Sequence, residues 1–144
     1  MSSNFEILEH KGDLKIKVFG KTLQALFQNA MQAMFAVAGY KAFSDAGQNI
    51  VRQALKLRSG DFPSLLVDFL SEVLYWSEVK KIVFEKAQFK KFSENEIEAV
   101  LQGRPLQKIG VCIKGVTYHD LSIQQNKNIE DKNKQWQAII LFDI

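Results

Sequence analysis

Phe5-Glu6-Ile7-Leu8-Glu9-His10-Lys11-Gly12-Asp13-Leu14-Lys15-Ile16-Lys17-Val18-Phe19 places two short apolar runs on either side of a polar turn. The alternation from Leu14 to Phe19 predicts a half-buried strand, and Phe5 to Leu8 predicts a shorter strand before it. Gly12-Asp13 is where the chain reverses or bulges between the two. The other end of the sequence makes this turn important, because Phe142-Asp143-Ile144 closes a dense apolar run. The terminal carboxylate is expected to be held at the end of a strand. If the two strands meet, Asp13, Asp143 and the carboxylate or carbonyl of Ile144 converge on one oxygen-lined point.

Working outward, Gly20 breaks the second strand and Thr22 suits the N-cap of a helix. Leu23, Leu26, Phe27, Ala30, Met34 and Val37 then recur at spacings of three and four, forming one apolar stripe, and Gly39 is its expected stop. Tyr40 to Asn49 is polar and reads as a connection. Val51 to Arg58 alternates at period two, predicting a strand with Arg52, Lys56 and Arg58 facing water. Asp61 followed by Pro63 opens a second helix, Leu65 to Val79, which is apolar nearly all round and is expected to be the more buried of the two.

Two alternating runs, Ile82 to Phe92 and Ile97 to Leu101, flank Ser93-Glu94-Asn95-Glu96 in the pattern of a hairpin, and Gly103-Arg104-Pro105 is expected to end the second run. Ile109 to Ile123 reads as a further strand with a bulge or tight crossing at Gly115. Gln124 to Lys134 reads as an exposed loop. Gln135 to Ile144 reads as a central strand covered on both faces. Strands interspersed with two long helices predict an α+β two-layer sandwich: a mixed or antiparallel sheet with both helices packed on one face.

The 144 residues are 47% hydrophobic, enough to close the core of one domain spanning residues 1–144. Nineteen basic against sixteen acidic residues give a net +3, too mild to argue for nucleic-acid binding by bulk charge. Direct RNA binding is therefore not expected. The single cysteine, Cys112, excludes a disulfide framework within the chain and a cysteine-type zinc site, and its apolar neighbours Val111 and Ile113 suggest a buried core residue. No leader pattern opens the sequence and no uncharged apolar run approaches the roughly 20 residues that span a bilayer, so a soluble cytoplasmic protein is expected.

Phosphate loops of the Walker or dinucleotide type, His-x-x-x-His pairs and Gly-x-Ser-x-Gly elbows are all missing from the sequence. An oxygen-ligand cation site remains. Two carboxylates held ~5 Å apart repel by ~3 kcal/mol at an effective dielectric near 20, so gathering Asp13, Asp143 and a chain end calls for a cation or for protonation. Hard oxygen donors favour calcium, magnesium or manganese over zinc. Against this stands a simpler reading in which Asp13 stabilises its turn or pairs with Lys15. Asp68 and Glu72 lie four apart on one helical face and could form a catalytic or metal pair, or mark a solvent stripe or pair with Lys and Arg. His10 and His119 are further functional candidates, each also readable as a structural strand residue.

Leu8-Glu9-His10 with Gly12-Asp13, followed by Gly20-Lys21-Thr22-Leu23 and Leu26-Phe27, resembles the opening of the archease family. Leu65-Leu66-Val67-Asp68-Phe69-Leu70 with Glu72 and Leu74-Tyr75 continues the resemblance. Lys114-Gly115-Val116-Thr117-Tyr118-His119-Asp120-Leu121 and the final Phe142-Asp143-Ile144 complete it, in the family's order. The resemblance implies a small α+β protein that is not itself an enzyme but a cofactor of the RtcB-type tRNA-splicing ligase. That ligase joins RNA ends through a guanylylated histidine of its own, and the partner promotes guanylylation and multiple turnover. The family's metal site maps onto Asp13, Asp143 and an oxygen of Ile144. This sequence departs from the family's common pattern in Lys11-Gly12 before the aspartate, Leu14-Lys15 after it, and Arg104 where Glu is frequent. A role as general chaperone or accessory protein for RNA-modification enzymes is the alternative.

Overall fold

The computed structural model of the chain describes residues 4–44, 49–127 and 129–144, with every side chain among them except those of residues 10, 11 and 118–121. The elements run β1 (Phe5–Lys11), β2 (Asp13–Gly20), α1 (Leu23–Val37), β3 (Lys41–Ala42), β4 (Val51–Arg58), α2 (Phe62–Lys80), β5 (Ile82–Phe92), β6 (Glu96–Lys108), β7 (Gly115–Gln125) and β8 (Trp136–Asp143), with a 3-10 turn at Lys132–Lys134 before β8.

Both helices begin where the capping residues dictate. The Thr22 hydroxyl accepts the N–H of Ala25 at 3.1 Å, and the Asp61 carboxylate accepts that of Ser64 at 2.8 Å. α1 ends in a Schellman pair, with Gly39 N–H donating to Ala36 O at 3.2 Å and Tyr40 N–H to Phe35 O at 2.9 Å. The stripes of the two helices, Leu26, Phe27, Ala30 and Met34 on α1 and Leu65, Leu66, Phe69, Leu70 and Val73 on α2, are fully buried. Burying each large apolar side chain contributes about 1.5–3 kcal/mol. Phe27 is the centre of an aromatic cluster, 5.8 Å from Phe69 and 5.0 Å edge-to-face from Phe92.

The strands form two antiparallel sheets. One has the order β1-β2-β8-β7; in the other β6 pairs with β3, β4 and β5. Each helix touches both sheets, α1 against β2 and β5 and α2 against β7 and β4, so the helical layer bridges them. The α+β expectation holds, with the strands divided between two sheets.

Four local expectations change. β8 is central, but only Ala138, Ile140 and Phe142 are buried; Ile139 and Leu141, on the face away from the helices, are half-buried. Gly103-Arg104-Pro105 does not end β6, which runs on to Lys108. Glycine is required there because a Cβ at Gly103 would lie 2.8 Å from Phe84 Cα and 2.7 Å from Ile82 Cγ2 on the adjacent strand. Lys41–Ala42, inside the expected connection, adds β3 to the far end of β6. Cys112 is exposed, because residues 109–114 are not a strand and Ile113 takes the buried position, its N–H donating to the Tyr40 hydroxyl at 3.1 Å.

Candidate functional site

Gly12 joins β1 to β2 in the left-handed region, at φ +83°, so that Lys11 and Asp13 are opposed across the tightest part of the hairpin. On the other side of β2, the ladder with β8 puts Asp13 opposite Asp143 and Leu14 opposite Phe142. Leu14 and Phe142 are fully buried. Alternation then turns Asp13 and Asp143 together onto the outer face, where both are exposed. β7 completes the row: Gly115 is opposite Asp143, and the N–H of Lys114 donates to the Asp143 carbonyl at 2.7 Å. A Cβ on Gly115 would lie 3.7 Å from Asp143 Oδ2, so the bare glycine leaves that side of the carboxylate open. Ile144 follows directly and packs its side chain against the core.

Directly opposed residues in an antiparallel ladder have Cβ atoms about 4.5–5.5 Å apart, and like charges there destabilise the pairing. No ion pair joins Asp13 to Lys15 among the described residues. The donor set, two carboxylates at a solvent-exposed corner with backbone oxygens beside them, suits a hard divalent cation. No group of three or more His, Cys, Asp or Glu side chains gathers at one point among the described residues.

His10 pairs through its backbone with Leu14, one position from Asp13 on β2. His119 falls between Thr117 and Ser122, where the β7–β8 ladder loses register. The side chains of both histidines lie outside the described residues. Asp68 and Glu72 are half-buried on α2, and Glu72 accepts the indole N–H of Trp76 at 3.0 Å. The sequence reading missed the bidentate pair of Arg104 with Glu85, Nε to Oε1 and Nη2 to Oε2 both at 2.7 Å. That hydrogen-bonded carboxylate holds the guanidinium above its ordinary value. A charged residue between Gly and Pro reads as a turn, and only the β5–β6 register reveals the partner.

The sequence profile described as "Archease protein family (MTH1598/TM1083)" matches residues 5–144. The chain belongs to the archease family. It is 36% identical over 150 residues to the protein archease of Methanosarcina acetivorans, covering 97% of this chain and 95% of that one. The same fold recurs in the solution structure of Methanobacterium thermoautotrophicum protein 1598, with a TM-score of 0.67 and 21% identity over 98% of this chain and 99% of that one. It recurs again in a crystal structure from Thermotoga maritima described as an archease, possible chaperone, with a TM-score of 0.65 and 15% identity over 96% of each chain. The two blocks of this chain that carry Asp13 and Asp143 both lie inside the matched region.

Proposed function

We propose that the chain is a non-catalytic cofactor of an RtcB-type tRNA-splicing ligase in the cytoplasm, promoting guanylylation of the ligase and its repeated turnover. The observation that carries this reading is the opposition of Asp13 and Asp143 at an exposed corner of the β1-β2-β8-β7 sheet. Membership of the archease family over residues 5–144 supports the partner. Asp13 and Asp143, with an oxygen of Ile144, would hold calcium, magnesium or manganese. Bound there, the cation supplies positive charge that relieves the carboxylate repulsion. The chain's own part is to present these oxygens on a rigid strand end, locked by the Leu14–Phe142 pair beneath and the Lys114 hydrogen bond beside.

Purified RtcB-type ligase is incubated with GTP and manganese, with and without the chain, beside Asp13→Ala and Asp143→Ala. Stimulation by the wild type that both substitutions abolish, with ligase binding retained, supports the reading. Absence of stimulation by the wild type sinks it.

A chaperone role is the second reading, favoured by exposed Tyr75 and Val79 on α2, which are 53% and 56% accessible. It predicts that the chain suppresses aggregation of unrelated RNA-modification enzymes and that Asp13 and Asp143 are dispensable for that.

A further inference from the structure

The net charge of +3 conceals an uneven distribution. On the outer face of the β4-β6-β5 sheet, β4 carries Arg52, Lys56 and Arg58 along one side and β5 carries Lys86, Lys90 and Lys91 along the other. All six are exposed. The register aligns them in rows across β6: Arg52, Gln102 and Lys86 form one row, and Lys56, Glu98 and Lys91 another. Two strand spacings separate the sides by about 10 Å. Along β6 the floor between them is Gln102 and Val100 at one end and Glu98 and Glu96 at the other, and one hollow of about 320 Å³, lined by Ala54, Val100 and Glu98, lies between Lys56 and Lys90.

The acidic residues of this face are already engaged. Glu85 is taken by Arg104 at 2.7 Å, Glu96 lies 3.9 Å from Arg58 and Glu98 lies 3.7 Å from Lys91. Arg52, Lys56, Lys86 and Lys90 have no ion-pair partner among the described residues, so four positive charges on one sheet face are uncompensated.

From this arrangement we infer that the outer face of the β4-β6-β5 sheet binds the phosphate backbone of single-stranded RNA, laid along β6 between the two basic sides. The choice of RNA among polyanions rests on the ligase-cofactor reading above. None of the large exposed apolar side chains belongs to β4, β5 or β6, so nothing on this face stacks on bases or inserts into a lipid surface. Binding is therefore electrostatic and indifferent to sequence. The acidic corner at Asp13 and Asp143 lies on the other sheet, so the two surfaces act separately.

The test is fluorescence anisotropy of labelled single-stranded RNAs of two unrelated sequences with the purified chain, between about 50 and 200 mM salt. Four phosphate contacts to a single strand give a log-log salt slope of about −3. The expected result is similar affinity for both RNAs, weakened at least tenfold by Arg52→Ala, Lys56→Ala, Lys86→Ala and Lys90→Ala together, with a shallower slope. The double variant Lys56→Ala with Lys90→Ala serves if the fourfold one does not fold, and falls between. Lys15→Ala with Lys17→Ala, on the other sheet, leaves binding unchanged. No binding at the lowest salt, or binding that these substitutions do not weaken, overturns the inference; so does loss of ligase binding in the fourfold variant with RNA affinity unchanged, which would assign the face to an acidic protein surface. Because no ligase is present in the RNA assay, failure here leaves the guanylylation result standing, and the reverse also holds.

Discussion

Asp13 and Asp143 are directly opposed in the β2–β8 ladder, one step beyond the fully buried Leu14–Phe142 pair. The buried pair fixes the register, because a slip of β2 by one residue against β8 would turn Leu14 outward and the Asp13 carboxylate inward. The hydrophobic core thus imposes the opposition of the two aspartates, an arrangement in which like charges disfavour pairing. If a divalent cation is held there, calcium, magnesium or manganese raises the melting temperature of chelator-treated protein, by the equivalent of about 2.7 kcal/mol at a hundred times Kd. Asp13→Ala and Asp143→Ala remove that shift and, without cation, melt no lower than the wild type. Calorimetry decides; equal shifts in wild type and variants place the cation elsewhere.

The α2 N-cap gives the protein an acid-sensitive element. The hydrogen bond from the Ser64 backbone N–H holds the Asp61 carboxyl below its ordinary value of 3.8. A depressed folded-state value means that the stabilisation is complete above the ordinary value and lost as pH falls through the folded one. Asp61→Ala therefore melts below wild type at neutral pH, and the gap closes in the acid range below about 3.8. Asp61→Asn, which caps without titrating, keeps its margin over Asp61→Ala unchanged into the acid range. Thermal melts from neutral pH into that range test this.

Local signals in the sequence were legible where the cause was local. Thr22 and Asp61 cap their helices, Gly39 closes α1, and alternation located β2 and β4, because those outcomes depend on hydrogen bonds and periodicity within a few residues. Alternation states which face a residue occupies but not which strand lies beside it, so the division into two sheets was not legible. Cys112 is illegible for a related reason: an apolar run around it does not reveal which of three neighbours takes the buried site. At the candidate site, the Asp13–Asp143 meeting was inferred from apolar runs at both chain ends, and the ladder now supplies it. The basic face is not legible in the sequence because its six side chains come from two strands separated by a helix and meet only across β6.

Gly103 shows how a turn signal is overridden by packing. A Cβ there meets the backbone of Val83 and Phe84, which cannot yield as a flexible side-chain end would. Gly103→Ala must push β5 from β6, at a cost of roughly 1–3 kcal/mol or more. The neighbouring Arg104–Glu85 pair is loosened as well. Gly60→Ala, where nothing lies within 4 Å, is the matched control and leaves the melting temperature nearly unchanged. Equal melting of the two variants would show that the β5–β6 approach is less tight than described.

Ser77 is the one buried polar residue among the described side chains of the core, 1% accessible, and its hydroxyl donates to the Ile82 carbonyl at 2.6 Å. That bond ties the last full turn of α2 to the first residue of β5, across the left-handed Lys81 at φ 58°. No buried side-chain nitrogen or oxygen among the described residues lacks a partner, so the serine is there to satisfy the carbonyl as the chain leaves the helix. Ser77→Ala leaves the Ile82 carbonyl short of a donor and lowers stability by about 1–2 kcal/mol. Ser77→Thr keeps the hydroxyl but adds a methyl to a fully packed site, so it loses stability by crowding instead. Hydrogen exchange separates the two causes: in Ser77→Ala the amides around Lys81 and Ile82 exchange faster while those of the α2 interior are protected as in the wild type relative to global stability. Uniform loss of protection throughout α2 would instead mean that Ser77 contributes packing alone, with the carbonyl satisfied by water.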